Sequence, residues 1–257
     1  MLSVRSNHRA APERQPHQPN MAQLTVPARR PEPVVPAAAP AVRPSLSRRL
    51  LDITVAIAVL GLIWPFFLAL AVAARRSTGG SAIYRQRRVG AGGVPFTLLK
   101  FRSMRVGATG PEVTAPGDGR VTRLGALLRK TSIDELPQLV NVLRGDMTLV
   151  GPRPETIALA TRYPAELMFI FRYRPGMTGP SQVLARDERV LGQVQDVENF
   201  YLTELVPHRV TMDLGYLRNP TITWTLRWLA DTFLYLIRVA RPVPFQPAKE
   251  LVFRKED

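Results

Sequence analysis

The sequence has no cysteine and only three histidines, His8, His17 and His208. The first absence excludes disulfides and thiolate metal sites, and it fits a reducing compartment. The second leaves no imidazole cluster for zinc and no pattern resembling a histidine-based triad. Lysine is scarce as well, present only at Lys100, Lys130, Lys249 and Lys255. The net charge of +15, from 35 basic and 20 acidic residues, is therefore carried mostly by arginine. Guanidinium groups grip phosphate bidentately, which suits lipid headgroups, nucleotides and nucleic acid alike. No recognisable nucleic-acid motif accompanies the charge, so no nucleic-acid partner is expected. An apolar stretch close to the start is missing too, which excludes a secretory signal peptide.

Residues 1–44 are rich in Pro, Ala and Arg without apolar periodicity, and are expected to be a disordered leader. A membrane helix is expected over 45–78 and a membrane-associated core over 79–257. Leu50–Ala74 is apolar except for Asp52 and Thr54, long enough for a bilayer-embedded helix. Pro65 near its middle removes a backbone hydrogen bond. Arg43, Arg48 and Arg49 precede the segment and Arg75 and Arg76 follow it. Because Lys and Arg favour the cytoplasmic side, a re-entrant helix bent at Pro65 satisfies both flanks, whereas a full span satisfies one.

Beyond it, Ile83–Val89 and Phe96–Arg102 flank the glycine cluster Gly90-Ala-Gly-Gly93, which predicts a β-hairpin. Residues 106–119 read as a mobile loop. Helices are expected over Val121–Leu128, Ile133–Leu143, Glu155–Tyr163, Pro164–Tyr173, Val197–Leu205 and Thr221–Ala240, with a turn-rich link at Pro175–Pro180. The last helix carries Trp224, Trp228, Phe233 and Leu236 at helical spacing beside Arg227, Arg238 and Arg241, a pattern suited to a membrane interface. The fold class is α+β and mostly helical: a re-entrant membrane helix, a short hairpin and amphipathic interfacial helices around a compact catalytic core.

The adjacent carboxylates Asp134 and Glu135 lie in Arg129-Lys-Thr-Ser-Ile-Asp-Glu-Leu-Pro-Gln138, with Arg144 and Arg153 soon after. Nearby fixed cations favour the ionised form of a carboxylate. Such a group can attack a phosphoanhydride or ligate a divalent metal. Ser132-x-x-Glu135 also reads as a capping box opening the helix that follows. Asp187-Glu188, between Arg186 and Arg189, reads as a self-neutralised patch, and Asp146 as either a turn or a secondary site residue.

These motifs resemble those of the bacterial sugar transferases, the monotopic polyprenyl-phosphate phosphoglycosyl transferases. The likeness runs in order through Arg48-Arg-Leu-Leu-Asp52, Tyr84-Arg-Gln-Arg-Arg-Val-Gly90, Lys100-Phe-Arg-Ser-Met104, Leu128–Gln138, Asn141–Glu155, Arg174-Pro-Gly-Met-Thr-Gly179 and Asp213-x-x-Tyr216. The sequence departs from the pattern at Trp64, where many members have Ser, and at Thr225, where an acidic residue is common. The resemblance implies transfer of a sugar-1-phosphate from a nucleotide diphosphate sugar, with uridine diphosphate the expected carrier, to polyprenyl (undecaprenyl) phosphate. That step would initiate exopolysaccharide or other glycoconjugate synthesis from the cytoplasmic face of the bacterial inner membrane. It further implies Asp134 as nucleophile, Glu135 as its partner in holding Mg²⁺, Arg153 as phosphate ligand and Arg129 as orienter, with Lys100 and Arg102 as further phosphate-binding candidates. The size matches the small form of the family, and a homo-oligomer stays open. The alternative from another class is a non-catalytic, membrane-anchored basic binding protein, which would need the arginines but not Asp134.

Overall fold

The computed structural model of the chain describes residues 33–35, 40–110, 113–114, 117–184 and 194–237. Asp187-Glu188, Arg238, Arg241 and parts of the 106–119 loop lie outside them.

Helix α1, Leu46–Thr78, begins where Ser45 Oγ accepts the Arg48 amide and ends at Gly79, whose positive φ of 75° allows its N–H to return to the Arg75 carbonyl. It runs through Pro65 as one helix of 33 residues, about 50 Å at 1.5 Å per residue. It is long and apolar enough to cross a membrane, and its middle turns leave Leu62, Trp64 and Phe66 exposed. Its ends behave differently. Asp52, 1% exposed, accepts hydrogen bonds from Thr148 Oγ1 (2.8 Å) and the Leu149 amide (2.9 Å). Arg48 donates to the Val150 carbonyl, and Arg49 donates to the carbonyls of Val142 and Leu143. At the other end Ser77 Oγ donates to Thr122 Oγ1, and Phe67 packs on Phe101 with ring centroids 4.7 Å apart.

The expected hairpin is present. Strands β1 (Ile83–Val89) and β2 (Pro95–Phe101) pair antiparallel, in the register Ile83 to Phe101. Helix α2 (Arg123–Lys130) follows, capped by Thr122, and its Gly125 sits where a side chain would strike the Ser103 carbonyl. Next come a 3-10 turn at Ile133–Glu135 and helix α3 (Gln138–Arg144). The capping box expected at Ser132 does not form. Ser132 adopts φ +57°, and its side chain makes no capping hydrogen bond. A helix started at Ser132 would carry Pro137 in its interior, where the missing N–H and the ring oppose it. With Pro137 at its entry instead, α3 avoids that conflict.

A small parallel pair joins β3 (Thr148–Val150) to β4 (Gly176–Thr178), the latter inside the segment read as a turn-rich link. The backbones cross so closely that a Cβ on Gly176 would lie 2.1 Å from the Gly151 nitrogen. Hydrophobic spacing could not reveal this pairing, because each strand is only three residues long. Helix α4 shrinks to Ile157–Ala160, and Ala165–Arg172 is 3-10 rather than α. Helices α5 (Pro180–Leu184), α6 (Val197–Phe200) and α7 (Val206–Leu217) lead to α8 (Ile222–Leu236), with a π turn over Tyr201–Leu205 between α6 and α7. The sequence pattern had not marked α7.

The leader is not detached from the core where it is described. The Val34 amide donates to the Gly93 carbonyl, Val35 is buried, and the Val42 amide donates to Arg172. Val35 thus joins the core cluster beside the hairpin tip.

The Asp52 anchor yields a direct test. Asp52→Ala leaves the Leu149 amide and Thr148 hydroxyl buried without their acceptor, so stability should fall by about 3 kcal/mol. Denaturation in detergent should show it, with Leu50→Ala, on the exposed face, nearly unchanged.

Candidate active site

A cavity of about 390 Å³ opens between α1, the Ile133–Glu135 turn, β4, α5 and α8. Its charged lining consists of Asp134, Glu135, Lys100, Arg129, Arg153 and Arg209. Its apolar lining includes Val55 and Val59 of α1, Leu229 and Leu236 of α8, and Leu139 and Met177. Five of the six site residues expected from sequence thus meet in one space. Arg102 does not line it: its guanidinium donates to the Ser81 carbonyl and lies over the Tyr84 ring, 5.4 Å from the centroid. Pro65 is also absent from the lining.

The dyad is presented by a strained turn. Ser132 is the only non-glycine residue with positive φ among those described, and its buried Oγ makes no hydrogen bond there. Such a conformation costs on the order of 1–2 kcal/mol and persists when its surroundings dictate it. Those surroundings are α2, which ends in Arg129 and Lys130, and α3, which starts just after the turn. Asp134 is buried, whereas Glu135 is reached by Lys100 Nζ at 2.8 Å.

Lys100 is itself held by a residue to which the sequence assigned no role. Asn141, fully buried on α3, accepts from the Leu99 amide through Oδ1 and donates through Nδ2 to the Thr97 carbonyl and to Asp146 Oδ2. It thereby bonds the free edge of β2 on both sides of Leu98, just ahead of Lys100. Asp146 resolves as a turn residue, bonded to Asn141 and outside the cavity lining. The available signal was an amide placed among Leu139, Val140, Val142 and Leu143.

Further hydrogen bonds tie together the elements around the cavity. Asp213 is buried and accepts from both the amide and the hydroxyl of Ser181, a cavity residue. Burial pushes its carboxyl up to about 7, against the lowering effect of the Ser181 hydrogen bonds and of Arg209. Tyr216 and Thr225 bond through their hydroxyls at 2.8 Å and join α7 to α8. Tyr201 donates to Glu155, and Arg209 Nη1 donates to the Tyr201 hydroxyl at 3.0 Å. Burial, reinforced by Glu155, raises the Tyr201 phenol to about 12, so it stays protonated and keeps that donor. Arg209 and Ser181 carried no mark in the sequence that separated them from other polar residues.

For a divalent metal the chain offers Asp134 and Glu135. No group of three or more His, Asp or Glu converges among the described residues. Mg²⁺ is commonly held by one or two carboxylates with substrate phosphates completing the sphere, so this donor set fits a metal that arrives with a diphosphate.

The comparisons now define the class. Residues 43–239 match the bacterial sugar transferase family, and the chain belongs to that family. It is 42% identical over 192 residues to the UDP-glucose:undecaprenyl-phosphate glucose-1-phosphate transferase of Caulobacter vibrioides, covering 73% of this chain and 67% of the relative. It is 36% identical over 187 residues to the enzyme of the same name from Escherichia coli, covering 71% of this chain and 38% of the relative. It is also 42% identical over 142 residues to the UDP-N-acetylgalactosamine-undecaprenyl-phosphate N-acetylgalactosaminephosphotransferase of Aeromonas hydrophila, covering 53% and 34%. The chain therefore spans two thirds of the first and little more than a third of the others.

Asp213 sets a pH dependence. Its raised value means the folded state binds the proton more tightly, so its contribution is fully present below the ordinary value of 3.8 and is lost as pH rises through about 7. Denaturation at pH values from about 4.5 to 7.5 should show wild-type stability declining over that window, with Asp213→Asn flattening the slope.

Proposed function

We propose that the protein transfers a sugar-1-phosphate from a UDP-sugar to undecaprenyl phosphate, by way of a phosphosugar carried on Asp134. The observation that carries this reading is the mixed charged and apolar lining of the cavity. Carboxylates and cations suited to a diphosphate share one space with apolar walls from α1 and α8 suited to a lipid.

The chemistry follows from what each part of that lining can do. Phosphoryl transfer needs in-line placement and charge neutralisation more than proton transfer. Arg153 and Arg129 would hold the diphosphate oxygens. An Asp134 carboxylate oxygen would attack the sugar-bearing phosphorus while the bond to the nucleotide's bridging oxygen breaks. The nucleotide monophosphate leaves with that electron pair, and an acyl phosphate remains. A phosphate oxygen of undecaprenyl phosphate would then attack the same phosphorus and displace the Asp134 carboxylate, giving the lipid diphosphosugar. A Mg²⁺ held by Asp134 and Glu135 would offset the diphosphate charge. Lys100 keeps Glu135 in a fixed position beside Asp134. Such a product would start assembly of a polysaccharide.

The reading also places the chain at the membrane. Both ends of α1 are tied to one core, through Arg48, Arg49 and Asp52 at the start and Ser77 at the close. A helix crossing a hydrocarbon layer about 30 Å thick would put its ends on opposite faces. The shared core therefore favours a re-entrant α1 with its exposed middle turns in the bilayer, monotopic on the cytoplasmic face. Helix α8, which exposes Trp224, Leu226, Phe233 and Leu234, would rest at the interface.

Two experiments test this. With UDP-sugar alone, wild type should release about one equivalent of nucleotide monophosphate per site and retain labelled sugar phosphate until lipid is added. Asp134→Asn should lose turnover by about 10⁴-fold or more while staying folded and membrane-bound, and chelation should silence wild type. First-turnover release that depends strictly on lipid, with no labelled protein, would remove the covalent step. For topology, single cysteines at Ser47 and Arg76 should both resist impermeant thiol reagents applied to intact cells. Outside labelling of only one of the two would establish a full span.

A further inference from the structure

A second, smaller cavity of about 90 Å³ lies on the far side of β3, at the first turn of α1. It belongs neither to the dyad nor to the lipid-facing wall. Arg43, Ser45, Arg48, Thr148, Tyr173 and Arg174 line it. Water needs only about 10–15 Å³ of such space, so a tetrahedral oxyanion can be accommodated.

Its polar chemistry is one-sided. Arg48 is 8% exposed, and its buried Nε has no hydrogen-bond acceptor among the described residues. The same is true of the buried Nη1 of Arg174. The nearest carboxylate on α1, Asp52, already accepts from Thr148 and Leu149. Burial lowers the Arg174 guanidinium from its ordinary value; Arg49 and Arg48 push the same way, against Asp52 and Asp146. Three arginines, Arg43, Arg48 and Arg174, line the pocket, and no carboxylate is among its lining residues. The first turn of the 33-residue α1, the positive end of its dipole, borders the same pocket. Unmade hydrogen bonds of buried guanidinium groups are costly, and a bound acceptor removes that cost.

We propose that this pocket binds a phosphate group, gripped by Arg48 and Arg174 with Arg43 at its mouth, as a site separate from the reaction cavity. The phosphate could come from a phospholipid headgroup, since α1 enters the apolar phase just beyond, or from a soluble phosphate.

The test uses the full chain in a maltoside detergent, titrated with inorganic phosphate against chloride at matched ionic strength, with thermal stabilisation as the readout. Wild type should respond saturably. Arg174→Gln should raise the apparent Kd about tenfold and Arg43→Gln about threefold, as loss of charged hydrogen bonds implies. Arg43 is exposed, so its variant keeps the fold, and Arg174→Lys is the milder partner if Arg174→Gln is unstable. Arg153→Gln, which alters the larger cavity's phosphate-binding arginine, should retain a saturable response that adding Arg174→Gln weakens. Soluble dihexanoyl phosphatidylglycerol that competes with phosphate would assign a headgroup; absence of competition would assign a soluble phosphate. Titrations of Arg43→Gln and Arg174→Lys identical to wild type, or no saturable response in wild type, would overturn the site. So would abolition of the response by Arg153→Gln, which would place the phosphate in the reaction cavity instead.

Discussion

The placement of the dyad depends on how the ends of α1 are tied to the core. Asp52 and Arg48 root the first turns in β3, and Arg49 takes up two carbonyls at the end of α3. Ser77, 25 residues beyond Asp52 in sequence, bonds to Thr122 at the cap of α2. Helices α2 and α3 are the two elements flanking the Ile133–Glu135 turn. One apolar helix thus holds both sides of the strained loop that presents Asp134. If α1 sits in lipid, the depth of the carboxylates is set by the helix that also fixes their geometry.

Within the cavity the two carboxylates are not equivalent. Glu135 is partly exposed and paired with Lys100, while Asp134 is buried and lines the same cavity. Asn141 fixes the strand that bears Lys100, so the distinction is built from the hairpin as well as from the dyad's own turn. A lysine at this point neutralises one carboxylate without occupying the site as a second arginine fork would. The arrangement suits a reaction whose demand is charge placement, and it explains how a chain with three histidines can serve it.

Much of this could be read from residue order. The hairpin announced itself by apolar runs around glycines, and α1 by its length and its arginine flanks. The Asp-Glu pair stood out by the nearby cations Arg129 and Arg153, Lys100 came only from the family resemblance, and all five line one cavity. What escaped was decided by tertiary contact. Three-residue strands carry too few positions to show a period, so β3 and β4 needed the close approach of Gly151 and Gly176 to be seen. Ser132 looked like a cap because a capping box is a local pattern, whereas its left-handed backbone is imposed from outside. Arg102 stood in the right motif, yet Tyr84 and Ser81 claim its guanidinium. Thr225, marked only as a departure from the family pattern, proves to be buried and bonded to Tyr216.

The core's polar residues share one logic. Asp52, Asn141, Glu155 and Asp213 are all buried, and each joins elements distant in sequence through bonds with defined partners. Apolar packing alone is tolerant of register, since one aliphatic contact substitutes for another with little loss. Directional bonds between buried groups penalise every arrangement but one, because a displaced partner leaves a desolvated donor or acceptor. In a chain whose α1 and α8 keep large apolar side chains exposed, hydrophobicity by itself distinguishes core from surface poorly. The buried polar contacts supply that distinction. They lie where α1 meets β3, where β2 meets α3, and where α7 meets α5, three of the junctions around the cavity that holds Asp134.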